Sequence, residues 1–249
     1  MKKTHFVYPY IIPKNPAFGW ELQFSIRSLY KNFKGDFDIT VIGEIPRWLD
    51  TTKVLAIQFD NSNYGLRVQS RTAQKLLLAA DIYDEIVFIH DDYYLIEPCT
   101  IEDFKTIRHL STNLKYNPNS ENNLTRFQKQ IRYTYFRLKD LGKRYTYNYA
   151  THSPFYYESK KLKEIDRIFN LTSDGEYAPV VENAYYNYFN VDSIPIGNFR
   201  RGFWGPASNK TIPPEAKILN HDEKGFLNNT WILSWLNNKF PKKSPAELF

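Results

Sequence analysis

Glu85-Ile-Val-Phe-Ile89 is a short, largely apolar stretch, and it leads directly into His90-Asp91-Asp92-Tyr93. An unbroken apolar run of this length is typical of a strand buried on both faces of a parallel sheet. Two adjacent carboxylates after such a strand are costly to hold together unless a cation neutralises them. The stretch therefore predicts a buried parallel strand that ends in an acidic turn.

The residues before this strand alternate between strand and helix signals. Strands are predicted at 6–12, 37–42 and 53–59, and helices at 15–35 and 66–80. Such alternation implies an α/β fold, with a mostly parallel sheet covered on both faces by helices. Ligands of these sheets bind beyond the carboxyl ends of the strands, where the crossover direction reverses. The acidic turn is predicted to lie at that edge.

The whole chain of 249 residues is predicted to form one domain, residues 1–249, with an inserted subregion at 103–149. Hydrophobic residues make up 42% of the sequence, and no run approaches the ~20 apolar residues of a membrane span. Cys99 is the one cysteine, which excludes an intrachain disulfide and a cysteine-built zinc site. We expect a reducing cytoplasm, bacterial or phage-infected.

The inserted subregion is basic and aromatic, and its first part is predicted to be helical. Residues 124–149 carry seven lysines and arginines against one acid, Asp140, and many tyrosines are interleaved with them. Cations neutralise phosphates and tyrosines stack on exposed bases, so this segment is a candidate for binding the acceptor of a reaction. The alternative is an ordinary helix whose charges face water. The candidate acceptor-binding residues are Arg132, Tyr135, Arg137, Lys143 and Arg144.

The acidic turn suits a hard divalent cation. Mg²⁺ or Mn²⁺ prefers oxygen ligands and is commonly bound by one or two carboxylates together with substrate phosphates. The diphosphate of a nucleotide-activated donor needs such a cation, because charge builds on its oxygens as it leaves. The net charge of +6 also favours an anionic partner. The alternative is that Asp91 and Asp92 cap the next segment or pair with surface lysines.

The strand and its acidic turn resemble metal-dependent glycosyltransferases of the GT-A type, in which an Asp-x-Asp turn follows a central strand. Six segments, in order, also resemble the Stealth family of sugar-phosphate transferases. They are Glu21-Leu-Gln-Phe-Ser-Ile-Arg-Ser-Leu29, Ile45-Pro-Arg-Trp-Leu49, Phe88-Ile-His-Asp-Asp-Tyr-Tyr94, His152-Ser-Pro-Phe155, Leu219-Asn-His-Asp222 and Phe240-Pro-Lys-Lys-Ser-Pro245. The acid and the tryptophan of the family's first strand are missing here, and residues 103–147 have no counterpart.

The resemblance implies roles for the polar residues of these segments. Asp92 would bind the metal, and Asp91 would contact the metal or the donor ribose. Either His221 or Asp222 would complete the metal shell, unless both belong to a solvated loop. His152 resembles the family's catalytic histidine and would act as general base. The candidate catalytic residues are thus Asp91, His152 and Asp222, and the candidate ligands of Mn²⁺ or Mg²⁺ are Asp92 and His221.

Four further residues are candidates for donor binding. Arg67 and Arg71 are one helical turn apart, so both could grip a diphosphate or base from one helix face. Arg201 belongs to a basic-aromatic loop that could close over a sugar nucleotide. Tyr8, at the end of the first strand, could stack on the base, although a core tyrosine fits the same pattern. Surface arginines are the alternative for the helix pair.

The predicted function is metal-dependent transfer of a sugar from a nucleotide-sugar donor, with a UDP-sugar as the expected donor. The acceptor is either a glycan or a hydroxymethylated DNA base. Sugar-1-phosphate transfer in surface polysaccharide synthesis is the alternative that the Stealth resemblance implies. A non-enzymatic nucleotide- or carbohydrate-binding module is a second alternative. A dinucleotide-binding enzyme is disfavoured, because no Gly-x-Gly-x-x-Gly follows the first strand.

Overall fold

A computed structural model describes residues 2–15, 18–62, 68–110, 123–173, 178–205 and 211–248. The strands are β1 (Thr4–Tyr10), β2 (Phe37–Gly43), β3 (Leu55–Gln58), β4 (Glu85–Phe88), β5 (Tyr93–Leu95), β6 (Arg108–His109), β7 (Phe155–Glu158), β8 (Ile194–Pro195), β9 (Arg200–Phe203) and β10 (Ile218–His221). The helices are α1 (Glu21–Asn32), α2 (Val68–Ile82), α3 (Ile101–Lys105), α4 (Arg126–Asp140), α5 (Ser159–Phe169), α6 (Val181–Tyr188), α7 (Glu223–Asn228) and α8 (Trp231–Lys239).

The central sheet has the order β3-β2-β1-β4-β7. Its first four strands run parallel, and β7 is antiparallel to β4 at one edge. Strands β1 and β4 lie side by side although α1, β2, β3 and α2 separate them in sequence. The structure confirms the predicted α/β class with a mostly parallel sheet, and the direction of the crossovers reverses between β1 and β4.

Alternation along the central strands assigns a hydrophobic core to each face of the sheet. Phe6 and Tyr8 of β1 pack with α1 in one core, whereas Val7 packs with α2, α5 and α6 in the other. Both cores are closed by apolar side chains that are almost fully buried. Helices therefore cover both faces, as the parallel arrangement requires.

A smaller sheet, ordered β5-β10-β9, begins directly after the acidic turn. Strand β5 pairs antiparallel with β10, and the register joins Tyr93 to Asn220. The residue before Tyr93 is Asp92 and the residue after Asn220 is His221, so this register brings the two predicted metal ligands to neighbouring positions. Two segments that are about half the chain apart in sequence thus meet at the carboxyl edge of the central sheet.

The first helix begins later than predicted. Asn15 and Pro16 carry helix-start signals, yet α1 begins at Glu21 after Trp20. Asn15 lies instead in the connection that follows β1, where it lines a cleft. The inserted subregion contains a helix, as predicted: α4 packs against α6. None of the described helices combines the length and the apolar character needed to cross a membrane. That the chain forms one domain stays a prediction.

Candidate active site

An open cleft of about 470 Å³ lies beyond the carboxyl ends of β1 and β4. We call it the acidic cleft. It is lined by Pro13, Lys14, Asn15, Phe18, Glu21, Asp91, Asp92, His221, Asp222 and Glu223. The predicted acidic turn and the predicted His-Asp pair therefore share one surface at the point where the crossover direction reverses, which is the usual place for a ligand in such sheets.

Four elements bring the acids of the cleft together. Asp91 and Asp92 stand on the turn between β4 and β5, and Glu21 is the first residue of α1. Asp222 caps the amino end of α7, where its Oδ1 accepts a hydrogen bond from the Gly225 amide. The cap fixes the Asp222 carboxylate but leaves the residue exposed to the cleft. Carboxylates from separate parts of the chain thus face one space.

The acids of the cleft raise one another's pKa. Burial is the largest cause for Asp91, Asp92 and Glu21, and repulsion from neighbouring carboxylates adds to it for the last two. The pKa of Glu21 rises to about 10. Lys14 is the one lysine or arginine among the described residues that line the cleft. Lys75, on α2 behind the cleft, opposes the rise in the pKa of Asp91, but the pKa of Asp92 and Glu21 stays raised by their acidic neighbours, and a bound cation would relieve this repulsion.

His221 lies behind the acids, and its side chain is fully buried. Its Nε2 is 3.0 Å from the Tyr94 hydroxyl, and its Nδ1 is 3.7 Å from Oε1 of Glu21. Burial lowers the pKa of His221 to about 4, so the imidazole is neutral at pH 7. Nδ1 also lies 3.3 Å from the Asp222 carbonyl, which can only accept, so Nδ1 carries the ring proton and the lone pair is on Nε2, which faces the Tyr94 hydroxyl.

The cleft fits a divalent cation that is shared with a phosphate-bearing ligand. Within the described residues, no group of three or more His, Cys, Asp or Glu side chains is arranged to hold a metal ion without other ligands. Mg²⁺ and related ions often use only one or two carboxylates, and phosphates and waters complete their shell. Asp91 and Asp92 supply such a pair of oxygen donors, so they are the residues that could hold the ion.

A second pocket of about 290 Å³ lies on the other side of Asp92. It is lined by Val68, Gln69, Thr72, Leu76, Phe88, His90, Asp92, Tyr93, Phe127, Ala150, His152, Phe155, Tyr157, Val181 and Glu182. Asp92 lines both this pocket and the acidic cleft. The predicted metal ligand is therefore the boundary between two spaces, one of which contains the predicted catalytic histidine, His152.

His152 is held in an unusual backbone conformation. Its φ of 51° lies in the left-handed region, and its ring packs 4.6 Å from that of Trp204, centroid to centroid. Burial by the walls of the pocket, followed by the charge of Arg200, lowers the pKa of His152 to about 4, although Asp222 opposes the shift. Part of the residue nevertheless stays open to the pocket. His152 is thus a neutral group at pH 7 that reaches the open space beside Asp92.

Arg200 lies close to this site, whereas Arg201 contacts the opposite side of β9. The Arg200 guanidinium is 3.3 Å from Oδ1 of Asn220 and 5.3 Å from the centre of the Trp204 ring. A Cβ at Gly202 would come within 2.2 Å of Arg200 and 2.8 Å of Trp204, so this packing requires glycine. Arg201 instead lies 4.6 Å from the Phe203 ring.

Three of the four predicted donor-binding residues, including Arg201, lie in the described part of the chain, and the prediction for one of them is corrected. Tyr8 is fully buried in the α1 core, where its hydroxyl bonds to Ser25. No face of its ring is open, so the prediction that it stacks on a base is wrong. Arg71 is bonded to Gln74 and lies over the Phe59 ring, and it lines neither space. Arg67 lies outside the described residues.

The predicted acceptor-binding residues mostly contact their own surroundings. Arg137 donates to the carbonyl of Ile168 at 3.1 Å, and Lys143 lies 4.4 Å from the centre of the Tyr188 ring. Arg132 lies over Phe136 of its own helix, and Tyr135 packs against Tyr145. Arg144 is exposed. None of these five residues lines the acidic cleft or the second pocket, whereas Phe127 at the start of α4 does.

Three polar residues at the site were not assigned a role from the sequence. Glu21 is the first residue of the segment 21–29 that resembles the Stealth family, but the sequence pattern of this segment predicts only a helix. Lys75 is fully buried on α2 and donates to the Tyr10 carbonyl, and burial lowers its pKa to about 8. Glu182 lines the second pocket, and burial raises its pKa to about 7. A charged residue on an amphipathic helix gives no sequence signal that it faces inward.

Comparison with known proteins gave a structural similarity but no sequence relative. No protein-family model and no curated protein matches the sequence. Among solved structures, the fold is similar to that of the apo-form glycosyltransferase GlyE of Streptococcus pneumoniae TIGR4, with 11% sequence identity and a TM-score of 0.49. The similarity covers 98% of this chain, which spans 65% of the length of that structure. The function is therefore argued from the site.

Proposed function

We propose that this chain is a metal-dependent glycosyltransferase that moves a sugar from a nucleotide-sugar donor, a UDP-sugar being the expected one, to a hydroxyl of a glycan. One observation carries the proposal: the acidic turn and the Glu21, His221 and Asp222 side chains share an open cleft at the reversal point of a parallel sheet. An acidic cluster with mutually repelling carboxylates at that position suits a cation with a diphosphate bound to it.

The donor is assigned to the acidic cleft. A divalent cation bound by Asp91 and Asp92 would neutralise the diphosphate oxygens as the bond to the sugar breaks. His221 orients Glu21 behind that pair, since Nδ1 faces Oε1. Arg200, which lies beside the site, adds positive charge for the leaving diphosphate. Arg67, Arg71 and Arg201 remain candidates for contacts with the more distant parts of the donor.

The transfer requires a balanced exchange of bonds at the anomeric carbon. The acceptor oxygen forms a bond to that carbon while the bond from the carbon to the diphosphate oxygen breaks, and its electron pair leaves with the nucleoside diphosphate. The acceptor proton must pass to a base of the protein. His152 reaches the space beside Asp92, but a base with a pKa near 4 is a weak proton acceptor at pH 7. We therefore assign His152 to binding the acceptor.

Sugar-1-phosphate transfer is the second candidate, and the products separate it from glycosyl transfer. Glycosyl transfer releases a nucleoside diphosphate, whereas sugar-1-phosphate transfer releases a nucleoside monophosphate. Glycosyl transfer breaks the bond from the anomeric carbon to the diphosphate oxygen, whereas sugar-1-phosphate transfer breaks the P–O bond between the two phosphates. The same acidic cleft would serve either reaction, because in both the charge of the leaving group develops on a phosphate oxygen. The observation that would favour the second candidate is release of UMP from a UDP-sugar.

The proposed function is tested with UDP-sugars, with and without Mn²⁺, by thermal shift and by chromatography of the released nucleotide. We expect donor-dependent stabilisation and slow hydrolysis to UDP, both lost on addition of EDTA. Asp92→Asn should reduce turnover by about 100-fold or more while the protein stays folded. Glu164→Gln, an exposed change on α5, is the matched control. Full activity of Asp92→Asn, or activity that EDTA leaves unchanged, would rule the proposal out.

A further inference from the structure

The second pocket has a chemistry of its own. Among the described residues that line it are two carboxylates, Asp92 and Glu182, and two histidines whose pKa is lowered to about 4, but no lysine or arginine. Its remaining walls are largely aromatic and aliphatic, including Tyr157 and Phe127. Such a lining disfavours a phosphodiester or a sulfate and suits hydroxyl groups carried on an apolar ring face.

Glu182 is the second carboxylate that lines this pocket, and it lies in the first turn of α6. Among the described residues, no ion pair joins it to a lysine, arginine or histidine, and the one hydrogen bond that affects its ionisation comes from its own backbone. A carboxylate bonded in this way keeps oxygen lone pairs that can accept a hydrogen bond from a ligand.

The volume of the pocket limits what can enter. About 290 Å³ is at the lower end of the range for small-molecule sites, which is roughly 300–1,000 Å³, and suits a single sugar ring. Because Asp92 lines both spaces, a ring in this pocket would place its hydroxyls beside the acidic cleft. The two spaces together provide adjacent places for two reactants.

We propose that the second pocket binds the acceptor as a neutral sugar ring and that Glu182 contacts its reacting hydroxyl and takes its proton. This inference rests on the proposed function, since it names the acceptor of the same reaction. The hydroxyl oxygen bonds to the anomeric carbon, the diphosphate leaves with the electron pair, and the proton passes to the Glu182 carboxylate. The raised pKa of Glu182, about 7, matches a general base that works near neutral pH.

The experiment compares wild type with Glu182→Gln and with Gln69→Trp, which places a bulky ring at the wall of the pocket. Glu164→Gln is again the control. Methyl glycosides of common hexoses serve as acceptor probes, with a UDP-sugar and Mn²⁺. Ligand-observed NMR measures glycoside binding in the presence of UDP and Mn²⁺. Thermal shift reports donor binding, and chromatography separates UDP formed by hydrolysis from the glycoside product.

We expect wild type to bind at least one glycoside and Gln69→Trp to lose this binding. Donor binding should be the same in the two proteins. Glu182→Gln should bind donor and glycoside within about twofold of wild type, while transfer falls by about 100-fold or more. Transfer that persists in Glu182→Gln, or glycoside binding that persists in Gln69→Trp, would overturn this inference alone. The same holds if only an oligonucleotide with 5-hydroxymethylcytosine accepts the sugar. If wild type neither binds nor hydrolyses any donor, the proposed function fails and the inference fails with it.

Discussion

The acidic cleft and the basic segment 124–149 both have a charge pattern that predicts ligand binding, yet the structure treats them differently. In the cleft, Asp91, Asp92 and Glu21 line one open space; burial raises their pKa, and repulsion from neighbouring carboxylates adds to it for Asp92 and Glu21. In the basic segment, Arg132 and Lys143 lie over aromatic rings and Arg137 donates to a backbone carbonyl. The acids of the cleft thus repel one another, whereas these three cations are satisfied by their own surroundings.

The difference shows which charge clusters are worth pursuing as binding sites. A charge that is solvated or already paired within the protein contributes little to stability and needs no ligand to compensate it. Holding like charges together in a partly buried place costs free energy. Such an arrangement persists only where a function such as ligand binding maintains it. By this measure the acidic cleft is the stronger candidate. The tyrosines of the basic segment support the same conclusion, because Tyr145 and Tyr149 are core residues with at most 8% of their surface exposed.

The largest effect is expected from the pH dependence of stability without metal. Glu21, whose pKa is raised to about 10, holds its proton in the folded protein at pH values where an unfolded carboxyl, with a pKa near 4, has lost it. The folded state then binds one proton more, so this group lowers the free energy of unfolding as pH rises. Relative to Glu21→Gln, the free energy of unfolding of wild type should fall between pH 6.5 and 8 by about 1.4 kcal/mol per pH unit, measured by urea unfolding with EDTA.

Other groups act in the opposite direction. Burial lowers the pKa of His90, His152 and His221 to about 4. Because unfolded histidines titrate near 6.5, their stabilising effect with rising pH is still present at pH 6.5 and fades over about one further pH unit. Lys75, with a pKa lowered to about 8, adds a contribution of the same sign as the pH passes 8. The comparison with Glu21→Gln removes these shared contributions, and Mn²⁺ should oppose the fall in wild type. Equal slopes in the two proteins between pH 6.5 and 8 would remove the distinction between the two regions.

The fold was predictable because its main signals are local and repeated. The apolar run at 85–89 and the alternation of strands and helices before it predict the parallel sheet, and the acidic turn follows at the predicted edge. The predicted start of α1 was wrong because Asn15-Pro16 has the composition of a helix start. In the structure, Asn15 lies in the wall of the cleft and the helix begins at Glu21.

The composition of the site was less accessible from sequence. The meeting of Asp92 with His221 depends on the pairing of β5 with β10, and strand pairing across such a separation has no local signal. Lys75 and Glu182 sit on helices among residues that would suit a solvated face, so only the packing shows that they point inward. The prediction that Tyr8 stacks on a base was wrong for the same reason, because only the packing against α1 shows that Tyr8 lies in the core.

A moderate effect on stability, without an effect on activity, is expected from Arg137→Ala. The guanidinium donates to the Ile168 carbonyl and so ties α4 to α5. Loss of a charge-assisted hydrogen bond of this kind costs about 1–2 kcal/mol, or roughly 2–4 °C in Tm for each kcal/mol. Differential scanning fluorimetry measures the shift, with exposed Lys139→Ala on the same helix as control. Normal stability with impaired transfer would instead place Arg137 at a binding surface.

The smallest effect is expected when three other cations of the basic segment, Arg132, Lys143 and Arg144, are neutralised together. Arg132 and Lys143 each make a contact with an aromatic ring worth about 0.5–1 kcal/mol, and Arg144 is exposed. The triple change to glutamine should leave transfer to a glycoside within about twofold of wild type, because none of the three lines either space.

A second measurement tests the basic segment for nucleic-acid binding, by fluorescence anisotropy of a labelled single-stranded oligonucleotide. Binding by wild type that weakens with salt and disappears in the triple variant would make the basic segment a nucleic-acid surface, and two binding regions would then have to be explained instead of one.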